Sequence, residues 1–319
     1  MKRFFLIMMM PLAACAPSVP TASPTATMVT SLTATTRRVV PSSTATITPL
    51  PPSPTPINSV RFAVIGDYGL AGEHLAAVAE FVKSWAPDII LTVGDNNYPE
   101  GEVATIDENI GAYFHEFIFP YTGVYGEGAQ ENRFFPALGN HDWNTLSAQP
   151  YLDYFALPDN ERYYDFVWGP VHFFAINSDS REPDRIGRSS KQAAWLRTRL
   201  AASTAPWKIV YMHHPPYSSA QHGSQLALQW PYQEWGASAV ISGHDHVYER
   251  ILVDGFPYFT NGLGGSPNRY DFISPVPGSQ IRYRDAHGAM LVEADMNQIT
   301  FQFVNVLGEL IDIYTIQVD

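Results

Sequence analysis

The sequence predicts an α/β domain built on a mixed, largely buried sheet, and three observations carry that expectation. Five short apolar runs each end in a compact polar loop rich in Gly, Asp, Asn or His. Apolar residues at helical spacing separate several of these runs. The last stretch changes character, to three β-like runs joined by tight turns. Strand–loop–helix units finished by antiparallel strands give a sheet of mixed direction with covered faces.

The chain opens differently. Lys2 and Arg3 precede an apolar stretch from Phe4 to about Met10, and Leu12-Ala13-Ala14 leads into Cys15. This is the layout of a secretory signal over residues 1–14, too short in its apolar part to span a bilayer. Small residues before a cysteine resemble a bacterial lipoprotein cleavage box, with a lipid on Cys15. Cys15 is the only cysteine, so no disulfide forms within the chain. Residues 15–56 form a tether. After Cys15 it lacks Gly, Asp and Glu, and Ser, Thr, Pro and Ala dominate. Such a composition cannot bury enough apolar surface to order itself, and flexible-chain scaling gives it a reach of roughly 35 Å. The domain is expected over residues 57–319.

Its elements follow in order. Residues 60–65 read as a strand running into Gly66-Asp67-Tyr68-Gly69, and Leu75, Val78, Ala79, Val82 and Trp85 mark the next helix. The run 89–93 leads into Gly94-Asp95-Asn96-Asn97-Tyr98, and 134–138 into Gly139-Asn140-His141-Asp142. Trp195, Leu196, Arg199 and Leu200 lie on a second helix, with Ser189 and Gln192 spaced as a capping box. Residues 208–212 run into His213-His214, and 239–242 into Gly243-His244-Asp245-His246. Residues 290–294, 298–305 and 310–317 close the domain as strands.

Donors at strand ends are stiffly aimed, and open α/β folds place ligands there. Asp67, Asp95 and a tyrosinate from Tyr98 are hard anionic ligands suited to a trivalent ion. His213, His244 and the Asn140 amide oxygen suit a divalent ion such as Fe, Zn or Mn. With Asp95 bridging, two such ions would lie about 3.5–4 Å apart, a separation used for in-line displacement at phosphorus. The formal charge is −12, and removal of Lys2 and Arg3 with the signal takes it to −14. That acidity argues against a nucleic-acid-binding surface. A chain this acidic that handles phosphate must hold the anion with metal charge.

Taken together, Gly66-Asp-Tyr-Gly, Gly94-Asp-Asn-Asn-Tyr, Gly139-Asn-His-Asp, Val210-Tyr-Met-His and Gly243-His-Asp-His resemble the five ordered signatures of purple acid phosphatases, within the calcineurin-like metallophosphoesterases. The resemblance runs from about Arg61 to the C-terminus. It is nearest the small, single-domain tartrate-resistant type, although His244-Asp-His-Val-Tyr-Glu-Arg250 follows the plant form of the last motif. It implies a four-layer α-β-β-α sandwich with a dinuclear site at the strand carboxyl ends. It also implies that Asp67, Asp95, Tyr98 and His246 hold ferric iron, while Asp95, Asn140, His213 and His244 hold the divalent ion. His222 matches a second active-site histidine of the small enzymes.

His141 adjoins Asn140, which puts it near the divalent ion and gives it the phosphoryl oxygens to hold. His222, in a polar loop, is the expected proton donor to the leaving group. Asp142 is expected to orient His141 or to cap the following turn. His74, His115 and His172 read as structural, and His214 and His287 as loop residues. Trp143, Tyr217 and Tyr248 are candidates for the substrate mouth. The expected protein is a surface-anchored, extracytoplasmic bacterial lipoprotein and a monomer, hydrolysing small phosphomonoesters at acid pH through metal-activated water. A phosphodiesterase or nucleotide phosphohydrolase at the same site is the alternative. A noncatalytic surface-binding lipoprotein is a third reading.

Overall fold

The computed structural model describes residues 58–318. The signal segment and the whole of the tether, Cys15 included, lie outside the described residues. Among the described residues, thirteen strands are formed. In chain order they are β1 (Ser59–Ile65), β2 (Ile89–Thr92), β3 (Phe134–Pro136), β4 (Tyr164–Trp168), β5 (Val171–Ala175), β6 (Trp207–Tyr211) and β7 (Ala239–Ser242). There follow β8 (Tyr248–Val253), β9 (Phe256–Asn261), β10 (Ser279–Tyr283), β11 (Gly288–Asp295), β12 (Gln298–Asn305) and β13 (Leu310–Gln317).

These strands divide into two sheets, with orders β13-β12-β11-β1-β2-β3 and β10-β8-β9-β7-β6-β5-β4. In the first, β1, β2 and β3 are parallel, and β11 turns the direction antiparallel on the other side of β1. In the second, β5, β6, β7 and β9 are parallel. Parallel neighbours put all their loops at one edge. That is why Asp67, Asp95, Asn140, His213 and His244, each just past a strand, gather together.

Residue alternation in the second sheet builds two layers of core at once. Val171, Phe173, Ala175, Ile209, Tyr211, Ala239 and Ile241 pack into the core shared with the first sheet. Phe174, Val210, Met212 and Val240 point the other way, onto Ala193, Leu196 and Leu200 of the helix Lys191–Ala202. Helix α1 (Glu73–Ser84) buries Leu75, Val78, Ala79 and Val82 and packs against β11. The result is the four-layer α-β-β-α sandwich.

Aromatic rings fill the seam between the sheets. Phe62 meets Phe173 edge-on at 5.0 Å, and Phe259 and Tyr248 stack on Phe301 and Phe303 at 4.8 and 4.1 Å. Buried Asp312 of β13 accepts bonds from Tyr248 Oη at 2.8 Å and Arg250 Nε at 2.7 Å, tying the sheets across that seam. Tyr248 is therefore core and does not line a substrate mouth. Tyr217 packs edge-on against Tyr258 at 4.8 Å, in the outer core cluster.

The expected capping box at Ser189 and Gln192 does not form. Ser190 is the cap, its Oγ accepting the Ala193 N–H at 3.0 Å. The Gln192 amide is taken by the backbone of Asn177 instead, at 2.8 and 2.9 Å, because that loop must be satisfied where it is buried. No helix among the described residues is long and apolar enough to cross a membrane.

Candidate metal centre

Three of the five site loops leave their strands through an uncommon backbone conformation. Asp67, Asp95 and His244 have φ of 55°, 52° and 69°, in the left-handed region that non-glycine residues seldom occupy. Gly94 is needed beside them. Its φ is 90°, and a Cβ there would lie 2.6 Å from Nδ1 of His213. Packing this tight leaves the donors little freedom.

The seven expected ligands fall into two groups that share Asp95. In the first, Tyr98 Oη lies 3.0 Å from Asp95 Oδ2, 3.5 Å from Asp67 Oδ1 and 3.3 Å from His246 Nε2. In the second, His213 Nε2 lies 2.9 Å from Asn140 Oδ1, 3.1 Å from His244 Nδ1 and 3.4 Å from Asp95 Oδ1. One carboxylate thus presents one oxygen to each group.

Hydrogen bonding behind the rings fits these groups to cations. His213 donates Nδ1–H to the Val93 carbonyl at 2.9 Å, and His246 donates Nδ1–H to the Asn268 carbonyl at 2.6 Å. In the neutral ring each Nε2 then carries a lone pair, directed at Asn140 and His244 from His213 and at Tyr98 and Asp67 from His246. A backbone carbonyl fixing the tautomer in this way is the usual support of a metal-binding imidazole. Crowded acceptors buried together need a positive charge between them.

Titration points the same way. Burial, helped by the neighbouring imidazoles of His213, His214 and His222, drives the His244 pKa far below its usual range, and burial lowers that of His213. Burial opposes the charged form of His246 too, but the hydrogen bond and charge of Asp67 outweigh it and raise its pKa. Burial and then the charges of Asp95 and Asp67 hold Tyr98 well above the ordinary phenol range. Only a strong cation would make Tyr98 a phenolate near neutral pH.

The two histidines expected to act on substrate flank this cluster. The His222 ring stacks on His244 at 4.3 Å and meets Tyr270 edge-on at 5.1 Å. His141 differs from its expected place. Its ring lies 4.6 Å from Tyr98, with Nε2 4.0 Å from Asp95 Oδ2, so it borders the first group of donors and not the divalent set. The reason is its anchoring: the backbone N–H donates to Asp95 Oδ1 at 3.0 Å, and Nδ1–H to the Pro99 carbonyl at 2.5 Å.

His214 also reaches the centre, its ring 4.4 Å from His244 and its Nδ1 3.0 Å from Ser178 Oγ; burial, then His213, pushes it down to about 3. His74 and His287 pair at 4.5 Å, and His115 and His172 are bonded to Gly111 and Asp165.

Several supporting residues escape a reading of motifs. Asp142 neither orients His141 nor caps a turn. Its buried carboxylate accepts N–H bonds from Asn96 and Gly139, at 3.0 and 2.8 Å, locking two site loops together. Burial and the Asp95 charge push it up to about 7. Arg181, held in a fork by Asp179, donates to the Asn140 carbonyl at 2.8 Å. Trp143 is buried, and donates to Asn177 Oδ1 at 3.3 Å. Tyr270 stacks on His246 at 4.3 Å. No local pattern announces Arg181 or Tyr270, since each acts through residues distant in sequence.

The chain resembles known proteins in this region. Purple acid phosphatase 3 of Arabidopsis thaliana is 23% identical over 301 residues, covering 79% of this chain and 76% of that protein. Tartrate-resistant acid phosphatase type 5 of Rattus norvegicus is 24% identical over 304 residues, covering 80% and 89%. Among solved structures, the purple acid phosphatase from yellow lupin (Lupinus luteus) seeds superposes with a TM-score of 0.65 at 20% identity. It matches 84% of this chain, which spans 55% of the lupin chain. GAP50, the anchor in the inner membrane complex of Plasmodium, superposes with a TM-score of 0.62 at 21% identity, covering 82% of this chain and 89% of its own. Both show the fold. The profile described as calcineurin-like phosphoesterase matches residues 60–248, which carry all seven expected ligands. The chain belongs to the calcineurin-like phosphoesterase family.

Proposed function

We propose that this chain is an acid phosphatase that hydrolyses phosphomonoesters at a dinuclear centre of ferric iron and a divalent ion. The observation that carries the reading is the pair of donor groups sharing Asp95, one rich in anionic oxygen and the other in neutral nitrogen and amide oxygen. Tyr98 supports iron in the first group, because its depressed acidity calls for a highly charged ion. When bound, the ions supply charge to the phosphoryl oxygens and acidify water.

The chain's own residues supply the rest. Asp142 and Arg181 hold the loops that carry Asp95, Asn140 and His141 in register. His141 sits at the edge of the centre, where its ring can hold a phosphoryl oxygen. His222, stacked on His244 at 4.3 Å, donates a proton to the leaving alcohol.

The decisive comparison is between an aryl phosphate and its bis-ester on the metal-loaded protein. The monoester is expected to be the far better substrate. A preference for the bis-ester would replace this reading with a phosphodiesterase, and no hydrolysis of either would favour a binding protein.

The proposal includes anchoring at the cell surface through a lipid on Cys15, supported by Leu12-Ala13-Ala14-Cys15 and the polar tether after it. Cys15→Ser is expected to leave the membrane fraction or to stall in maturation, since the acyl chains provide the membrane affinity. Unchanged retention with normal processing would remove the lipid from the proposal.

A further inference from the structure

We infer that Asp245, lying between the two histidine ligands of the last motif, is the positioning residue that holds His222 over the centre. The inference rests on the reading of His222 as proton donor. Asp245 is fully buried, yet it belongs to neither donor group. Its Oδ1 accepts the backbone N–H of His222 at 2.8 Å, and its Oδ2 accepts the hydroxyl of Ser218 at 2.5 Å. Ser218 Oγ in turn accepts the Ala220 N–H at 3.1 Å. Four residues on, buried Glu249 repeats the device, taking the Ser219 N–H at 2.8 Å and the Ser279 hydroxyl at 2.6 Å. The two acids of Gly243–Arg250 that are not ligands are thus both bonded to the loop carrying His222.

This arrangement has a physical consequence. A carboxylate that accepts a backbone N–H with one oxygen and a hydroxyl with the other fastens the loop at two points. Because the anchor is the immediate neighbour of His244 and His246, ligand and donor move together. The 4.3 Å stacking of His222 on His244 follows from that shared base. Geometry matters here, since a reacting group displaced by about 1 Å costs roughly 10²-fold in rate.

The test compares Asp245→Ala, Asp245→Asn and Ser218→Ala with His222→Ala, using alkyl and aryl phosphates and monitoring metal content. Asparagine keeps the geometry, because its Oδ1 can accept from His222 while its Nδ2 donates to Ser218. Asp245→Ala is expected to slow alkyl phosphates roughly 10²-fold, as a misplaced donor would, with aryl phosphates changed only a few-fold. Asp245→Asn should restore most of that selective loss, and Asp245→Ala should add little to His222→Ala. Equal losses on both substrates, full additivity, or an asparagine variant as poor as alanine would overturn the inference.

Should Asp245→Ala fail to fold or to hold metal, Ser218→Ala cuts the same tether away from the ligands. It is expected to show a smaller loss of the same selective kind, and its absence would be equally fatal. If His222→Ala itself shows no dependence on the leaving group, the donor reading falls and takes this inference with it. Dependence in His222→Ala but not in the Asp245 and Ser218 variants overturns this inference alone.

Discussion

His222→Ala should slow the hydrolysis of alkyl phosphates by about 10²–10⁴-fold, the usual contribution of a positioned general acid, while aryl phosphates with good leaving groups lose far less. An alkyl alcohol leaves as a poor alkoxide unless it is protonated as the bond to phosphorus breaks. A nitrophenolate needs no such help. His141→Ala should behave differently, slowing both substrate types alike, because its ring borders Tyr98 and Asp95 Oδ2, where it would hold phosphoryl oxygen. Equal losses in His222→Ala and a leaving-group dependence in His141→Ala would mean that the two roles are reversed.

Stripping the metals should lower the melting temperature by on the order of 10 °C or more. A ligand at a thousand times its dissociation constant stabilises the fold by about 4 kcal/mol per site, and each kcal/mol moves Tm by about 2–4 °C in a domain of this size class. The large effect is expected because the buried acceptors repel one another when nothing positive lies between them. Asp95→Asn, which removes the shared charge, should erase most of the difference between loaded and stripped protein. The iron-loaded enzyme should also absorb visible light through phenolate-to-iron charge transfer. Tyr98→Phe should abolish that band while leaving part of the metal bound. A colourless active enzyme containing ferric iron would show that Tyr98 is no ligand. An unchanged melting temperature after stripping would show that the acceptors hold no structural cation.

Much of this architecture was legible in the order of residues. Strand-end loops announce themselves because an apolar run stops abruptly at Gly-Asp, Gly-Asn-His or His-Asp-His, and parallel pairing then gathers those ends without further instruction. What could not be read is whatever depends on pairs distant in the chain. The period of the strands was hidden, since β5, β6 and β7 are apolar on both faces. The splitting of one expected mixed sheet into two came from family resemblance alone. Gln192 could not be recognised as a loop anchor, because its partner Asn177 precedes the helix by a whole loop. His141 was expected beside the divalent set from its adjacency to Asn140. The bonds to Asp95 and Pro99 that turn it toward Tyr98 cross from another motif.

The left-handed backbone at Asp67, Asp95 and His244 has a bearing on protein engineering. Sparsely populated conformations of this kind cost of order 1–3 kcal/mol each, and glycine would relieve them. A redesign scored on backbone conformation alone, with no metal bound, would therefore choose glycine at the very positions that supply the shared carboxylate and both flanking donors. The more thoroughly such a procedure succeeded, the more completely it would erase the catalyst. Stabilisation of this chain has to be sought in the aromatic seam and the outer helices, with those three residues left untouched.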